Sequence, residues 1–82
     1  MLEKERQINK AIGLQIKTQR RARKITQSCL AHHIGVTFQQ LQKIEIGKNR
    51  VSAARLLLIS EYLNVSLMDF YAVAALDDRQ RL

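Results

Sequence analysis

Four hydroxyl side chains and three chain-stopping residues divide most of this sequence into short helical pieces. Thr26, Thr37, Ser52 and Ser66 each precede a stretch with helical spacing, where a hydroxyl accepts a hydrogen bond from an amide of the first turn. Gly35, Gly47 and Asn64 stand where such stretches end, and each suits the stop that closes a helix. "TFQQ" has the spacing of a capping box, with Gln40 three residues after the Thr37 cap. The pieces so defined run from Thr26 to about His33, from Thr37 to Ile46, from Ser52 to Leu63, and onward from Ser66 with Asp69 in the first turn. A longer first helix over about 7–23 precedes them, with Ile8, Ile12 and Ile16 on one stripe and basic residues over much of the rest. No strand pattern, repeat or low-complexity stretch is present, so the expected fold class is all-α with five helices.

At 82 residues the chain is expected to form a single domain over 1–82, with its core in 7–76 and frayed ends, including the tail DDRQRL. A chain of this size buries only about 60 to 65% of its unfolded surface, so the core is small. The content of 46% hydrophobic residues without a proline is that of a helical globule and not of a disordered tail. No run approaches the roughly 20 apolar residues of a membrane span, and MLEKERQINK lacks the apolar core of a signal peptide. A cytoplasmic protein with no membrane partner is therefore expected. The single cysteine, Cys29, excludes an internal disulfide and a multi-cysteine zinc cluster.

The net charge of +7 is unevenly placed. Lys10, Lys17, Arg20, Arg21, Arg23, Lys24, Lys43, Lys48, Arg50 and Arg55 face a single carboxylate, Glu45, in the span from Lys10 to Arg55. Segregation of this kind makes a cationic face that attracts and steers a polyanion. Charge alone does not identify that polyanion.

The third helix adds chemistry to the charge. At 100° per residue Leu41 and Ile44 define its inward seam, while Gln39, Gln42, Lys43 and Ile46 fall on the opposite side and Phe38 sits at the leading edge. Glu and Lys would solvate such a face equally well. An amide instead offers a donor and an acceptor on one plane, as bidentate pairing to the N6 and N7 edge of adenine requires. A carboxylate there would be repelled by phosphates. The alternative is that these glutamines form no more than a solvated surface.

Between Gln27 and Ile46 the apolar positions are Leu30, Ile34, Val36, Leu41 and Ile44, with Ala31 small enough for a close helix crossing and Gly35 in the turn. A turn of this type joins helices at about 90 to 120°, so that one can cross a groove while the next enters it. "ITQSCLAHHIGVTFQQLQKIEIGKNR" and "LLLISEYLNVSLMDF" resemble the Cro/C1-type (XRE) family of helix-turn-helix regulators, which includes lambdoid phage repressors. The resemblance covers about 13–71 and places the helix-turn-helix at 26–46. It implies a five-helix, lambda-repressor-like DNA-binding domain, bacterial or phage-encoded, that binds a double-stranded operator as a sequence-specific transcriptional repressor.

Residue by residue, the resemblance makes Gln27 a phosphate anchor that also braces the third helix. It assigns base-edge or sugar-phosphate contacts to Thr37, Phe38, Gln39 and Gln42, with Lys43 one turn further on, and backbone phosphate contacts to Lys48, Asn49 and Arg50. Phe38 departs from the family's usual polar residue and either meets a thymine methyl or packs on the turn. Arg20 and Glu45 match a partly buried structural ion pair; the helical wheel puts Glu45 about 70° off the seam, where a lone acid needs a cationic neighbour. Lys24 stands where glycine is common in the family, which implies a left-handed conformation. Ser60 stands where alanine is common.

Other chemistry is poorly supplied. Cys29 and His33 share a helical face, yet two ligands do not make a zinc site and no oxyanion loop accompanies them. No enzyme activity, metal or cofactor is expected, and His32 and His33 are read as solvent-side residues near phosphate. The fifth helix is apolar around most of its circumference: Leu67, Phe70, Tyr71, Val73, Ala74 and Leu76 cannot all face one small core. Leu58 adds to this surplus. A homodimer interface is the preferred reading, as in many relatives. The alternatives are a loosely amphipathic terminal helix, or an antitoxin-like module of the same fold whose main partner is a toxin or other protein.

Overall fold

The computed structural model describes residues 2–71, and these are helical with short connections. Four helices follow in order: α1 (Glu3–Ala22), α2 (Gln27–Ile34), α3 (Phe38–Glu45) and α4 (Ala53–Leu63). A fifth helical segment occupies 67–71. Both α2 and α3 have eight residues, too short to persist in water alone, so their stability comes from caps and packing.

The expected hydroxyl caps form at Thr26, Thr37 and Ser52. Thr26 Oγ1 accepts from the Cys29 amide at 3.1 Å, and Ser52 Oγ accepts from the Arg55 amide at 3.1 Å. Thr37 Oγ1 accepts from the Gln40 amide at 3.0 Å while Gln40 Oε1 accepts from the Thr37 amide at 2.8 Å, a reciprocal box. Gly35 and Asn64 close α2 and α4 in the left-handed region. Lys24, at φ 57°, is left-handed too, without the freedom of glycine. Helix α1 starts four residues before the expected position, since Glu3 and Glu5 suit the positive end of the helix dipole.

Ile12 and Ile16 of α1, Leu30, Ala31 and Ile34 of α2, Leu41 and Ile44 of α3, and Leu56, Ile59 and Leu63 of α4 form one buried cluster. Phe70 completes it and is fully buried. That corrects its assignment to a dimer interface: the ring fills the chain's own core, and burial there outweighs any surface role. Leu67 is half-buried against the same cluster, and Tyr71 is exposed. Val73, Ala74 and Leu76 lie outside the described residues.

Two glycines set how α1 meets α3. A Cβ on buried Gly13 would collide with the Ile44 carbonyl oxygen and lie 2.8 Å from that of Glu45, so the absence of a side chain lets the two backbones touch. Gly47, at φ 81°, turns the chain after α3, and a Cβ there would come within 2.6 Å of Lys10 Cα. The C-terminal end of α3 is thus held close against the 10–13 stretch of α1. No helix among the described residues is long and apolar enough to cross a membrane.

Candidate nucleic-acid interface

With Leu41 and Ile44 turned into the core, α3 presents Gln39, Gln42 and Lys43 to solvent from one face. Phe38 at its start is 40% exposed, and Thr37 is exposed with its hydroxyl oxygen engaged in the cap. Beyond α3, the Lys48 and Asn49 amides both donate to the Lys43 carbonyl, at 2.9 and 3.2 Å. This folds the basic loop back on the end of the helix, with Lys48, Asn49 and Arg50 all exposed. Arg50 Nη2 lies 3.7 Å from Glu5 Oε2 in an exposed pairing that contributes little to stability.

Behind this surface lies a polar network. Arg20 Nε donates to Glu45 Oε2 at 2.8 Å and Nη2 to Oε1 at 3.2 Å, while Nη1 donates to the Ile25 carbonyl at 2.7 Å. Gln27 Nε2 also donates to Glu45 Oε1, at 2.8 Å. One carboxylate from α3 therefore joins α1 and the first residue of α2, and every buried side-chain polar atom among the described residues has a partner. The expected Arg20–Glu45 pair is present. Gln27 braces α3 through this bond and is itself half-buried.

A groove of about 410 Å³ runs beside α3, lined by Lys17, Gln27, Gln39, Gln42, Lys43, Glu45, Ile46 and Lys48. It brings together three of the expected base-contacting residues, one loop residue and the phosphate anchor. Asn49, Arg50, Thr37 and Phe38 are not part of its lining. Sequence reasoning did not single out Gly13 or Lys17. An isolated glycine within a helical pattern signals close packing and was available as a clue for the first; the second is one of several lysines, and nothing local distinguishes it.

The histidine and cysteine side chains play other parts. The His33 ring stacks on Tyr62 with centroids 4.0 Å apart and planes 26° from parallel, tying α2 to α4. Cys29 is exposed. No group of three or more metal-ligating side chains occurs among the described residues.

Comparison with known proteins agrees with this geometry. A family model described as "Helix-turn-helix" matches residues 16–70. An uncharacterized HTH-type transcriptional regulator, y4aM, of Sinorhizobium fredii is 47% identical over 60 residues, covering 73% of this chain and 42% of the relative. An uncharacterized transcriptional regulator in the ATPase CF(0) region of Rhodospirillum rubrum is 43% identical over 61 residues, covering 74% and 56%. The chain thus spans about half the length of the curated relatives it matches. Among solved structures, the clp gene regulator ClgR from Corynebacterium glutamicum superposes with a TM-score of 0.79 at 26% identity, over 90% of this chain and 83% of that one. The restriction-modification controller protein C.AhdI from Aeromonas hydrophila shares the fold, with a TM-score of 0.69 at 21% identity over 74% and 92%. The capped pair α2 and α3, the groove beside them and the family match over 16–70 agree, and the chain belongs to the XRE-type helix-turn-helix family.

Proposed function

We propose that this domain binds duplex DNA in a sequence-specific manner for a transcriptional regulator, with α3 entering the major groove and repression following from occupancy of an operator. The observation that carries the reading is the orientation of α3: Gln39, Gln42 and Lys43 share the open face of a helix whose other face is locked into the core. In this reading Gln39 and Gln42 pair with base edges, Lys43 adds a cationic donor, and Thr37 and Phe38 meet the duplex at the leading end of the helix. Gln27, Lys48, Asn49 and Arg50 hold backbone phosphates, which sets register without reading sequence. The relatives are named as transcriptional regulators, in keeping with this role.

Self-pairing belongs to the same proposal. Leu57 and Leu58 on α4, and Met68 and Tyr71 in the fifth helix, are 47%, 42%, 66% and 40% exposed. Apolar side chains of this size on two adjacent helices suit a two-fold contact, with Leu67 at its edge. Selection of bound duplexes from a random pool, beside sedimentation, tests both parts. Enrichment of a palindrome and a dimer mass support them; a pool that stays random removes sequence reading.

A further inference from the structure

The groove beside α3 contains a cation that the contacts proposed for α3 and its loop leave unused. Lys17 reaches it from α1 and lines it together with Lys43 and Lys48. Lys17 is half-buried and stands apart from the inward stripe of Ile12, Ile16 and Arg20 on its own helix. An acid in the same lining, Glu45, is the obvious objection to an anion there. The network removes that objection: Oε2 is held by Arg20 Nε, Oε1 by Arg20 Nη2 and Gln27 Nε2, and the Glu45 side chain is 1% exposed. A guanidinium in bidentate contact cancels the carboxylate's charge locally, so the open groove presents the charge of its lysines.

We propose that this groove seats a backbone phosphate of the duplex, with Lys17 as a phosphate-contacting residue and Arg20 as the buried cation that keeps Glu45 from repelling it. The inference rests on the DNA-binding reading above. An ammonium on a flexible stem acts on phosphate as a point charge and does not read a base edge, so the contact contributes equally on every sequence. Gln27 has a second N–H beyond the one given to Glu45, which suits the same phosphate.

The test compares wild type, Lys17→Gln and Lys17→Arg by fluorescence anisotropy, on a duplex recovered by selection and on a random duplex, across a salt series. Lys17→Gln is expected to weaken both duplexes by the same factor and to reduce the slope of log affinity against log salt by about 0.9, while Lys17→Arg keeps the slope. A loss of stability alone leaves the slope where it was. An unchanged slope in Lys17→Gln, or a loss confined to the selected duplex, overturns the assignment. Replacing chloride with inorganic phosphate at matched ionic strength is expected to change duplex affinity by no more than about twofold. A larger loss from which Lys17→Gln is exempt gives the groove to a free phosphate anion instead. Failure of the pool to enrich any sequence would remove base reading by α3, yet the Lys17 slope remains measurable on random duplex, so the two failures are distinct.

Discussion

Arg20 of α1 and Glu45 at the end of α3 meet side by side, with Nε 2.8 Å from Oε2 and Nη2 3.2 Å from Oε1, both side chains almost wholly buried. The pair lies directly behind the face proposed to meet DNA. It ties the helix that carries the reader residues to the longest helix of the fold, and through Gln27 it also reaches the start of α2. A pair so placed matters for geometry even where burial of two charges gives little net stabilisation.

Removing one partner leaves the other charge buried. Arg20→Ala or Glu45→Ala is expected to destabilise the domain by roughly 3 to 5 kcal/mol in urea unfolding. The double substitution Arg20→Ala, Glu45→Ala, which removes both charges, is expected to cost less than the two single changes added together. Additive losses would mean that the two side chains are not coupled.

Gly13→Ala sets two effects against each other. Helix propensity alone favours alanine by about 1 kcal/mol. The collision of its Cβ with the Ile44 and Glu45 carbonyls opposes this, and overpacking of that kind costs about 1 to 3 kcal/mol. A net loss of stability is expected, together with weaker DNA binding because α3 is displaced. A more stable variant would show that the α1–α3 contact is looser than described.

Lys24 offers a gain. A side chain in the left-handed region costs about 1 to 2 kcal/mol, part of which glycine returns through its larger unfolded-state entropy. Lys24→Gly is therefore expected to raise stability by about 0.5 to 1 kcal/mol, as read from the denaturation midpoint at unchanged m-value.

Gln39→Ala is expected to weaken binding to a selected duplex by about 1 to 3 kcal/mol and to relax preference at one base position. An equal loss on every sequence would show that Gln39 is not a reader. Binding as a whole should fall steeply with salt, and a flat response would count against the phosphate contacts of Lys48 and Arg50.

Paired half-sites are the last expectation. If two copies bind together through α4 and the fifth helix, footprints should repeat about 34 Å apart on one face of the duplex. A charged substitution at Leu58, which is exposed, should then abolish the second footprint while leaving the fold intact. A footprint that is single in wild type removes the dimer from the proposal.

What could be read from the chain by itself is what a few neighbouring residues decide. Thr26, Thr37, Ser52, Gly35 and Asn64 mark helix ends because capping bonds span only three or four residues, and all five act as expected. Leu41 and Ile44 face inward and Gln39, Gln42 and Lys43 outward for an equally local reason, the 3.6-residue period. The Arg20–Glu45 pair, 25 residues apart, came into view through resemblance to a family and through the need of one acid for a cation. Tertiary structure decided the rest. Phe70 turned out to be core because the position of its ring depends on where α1 to α4 leave a space, which no periodicity in a short apolar helix reports. Gly13 became a contact point and Lys17 a wall of the groove only when α1 crossed α3, and the packing of α2 on α3 named Glu45 as the partner of the brace expected of Gln27. Local hydrogen bonding and periodicity are written in adjacent residues; which distant side chains meet is set by how packed helices cross.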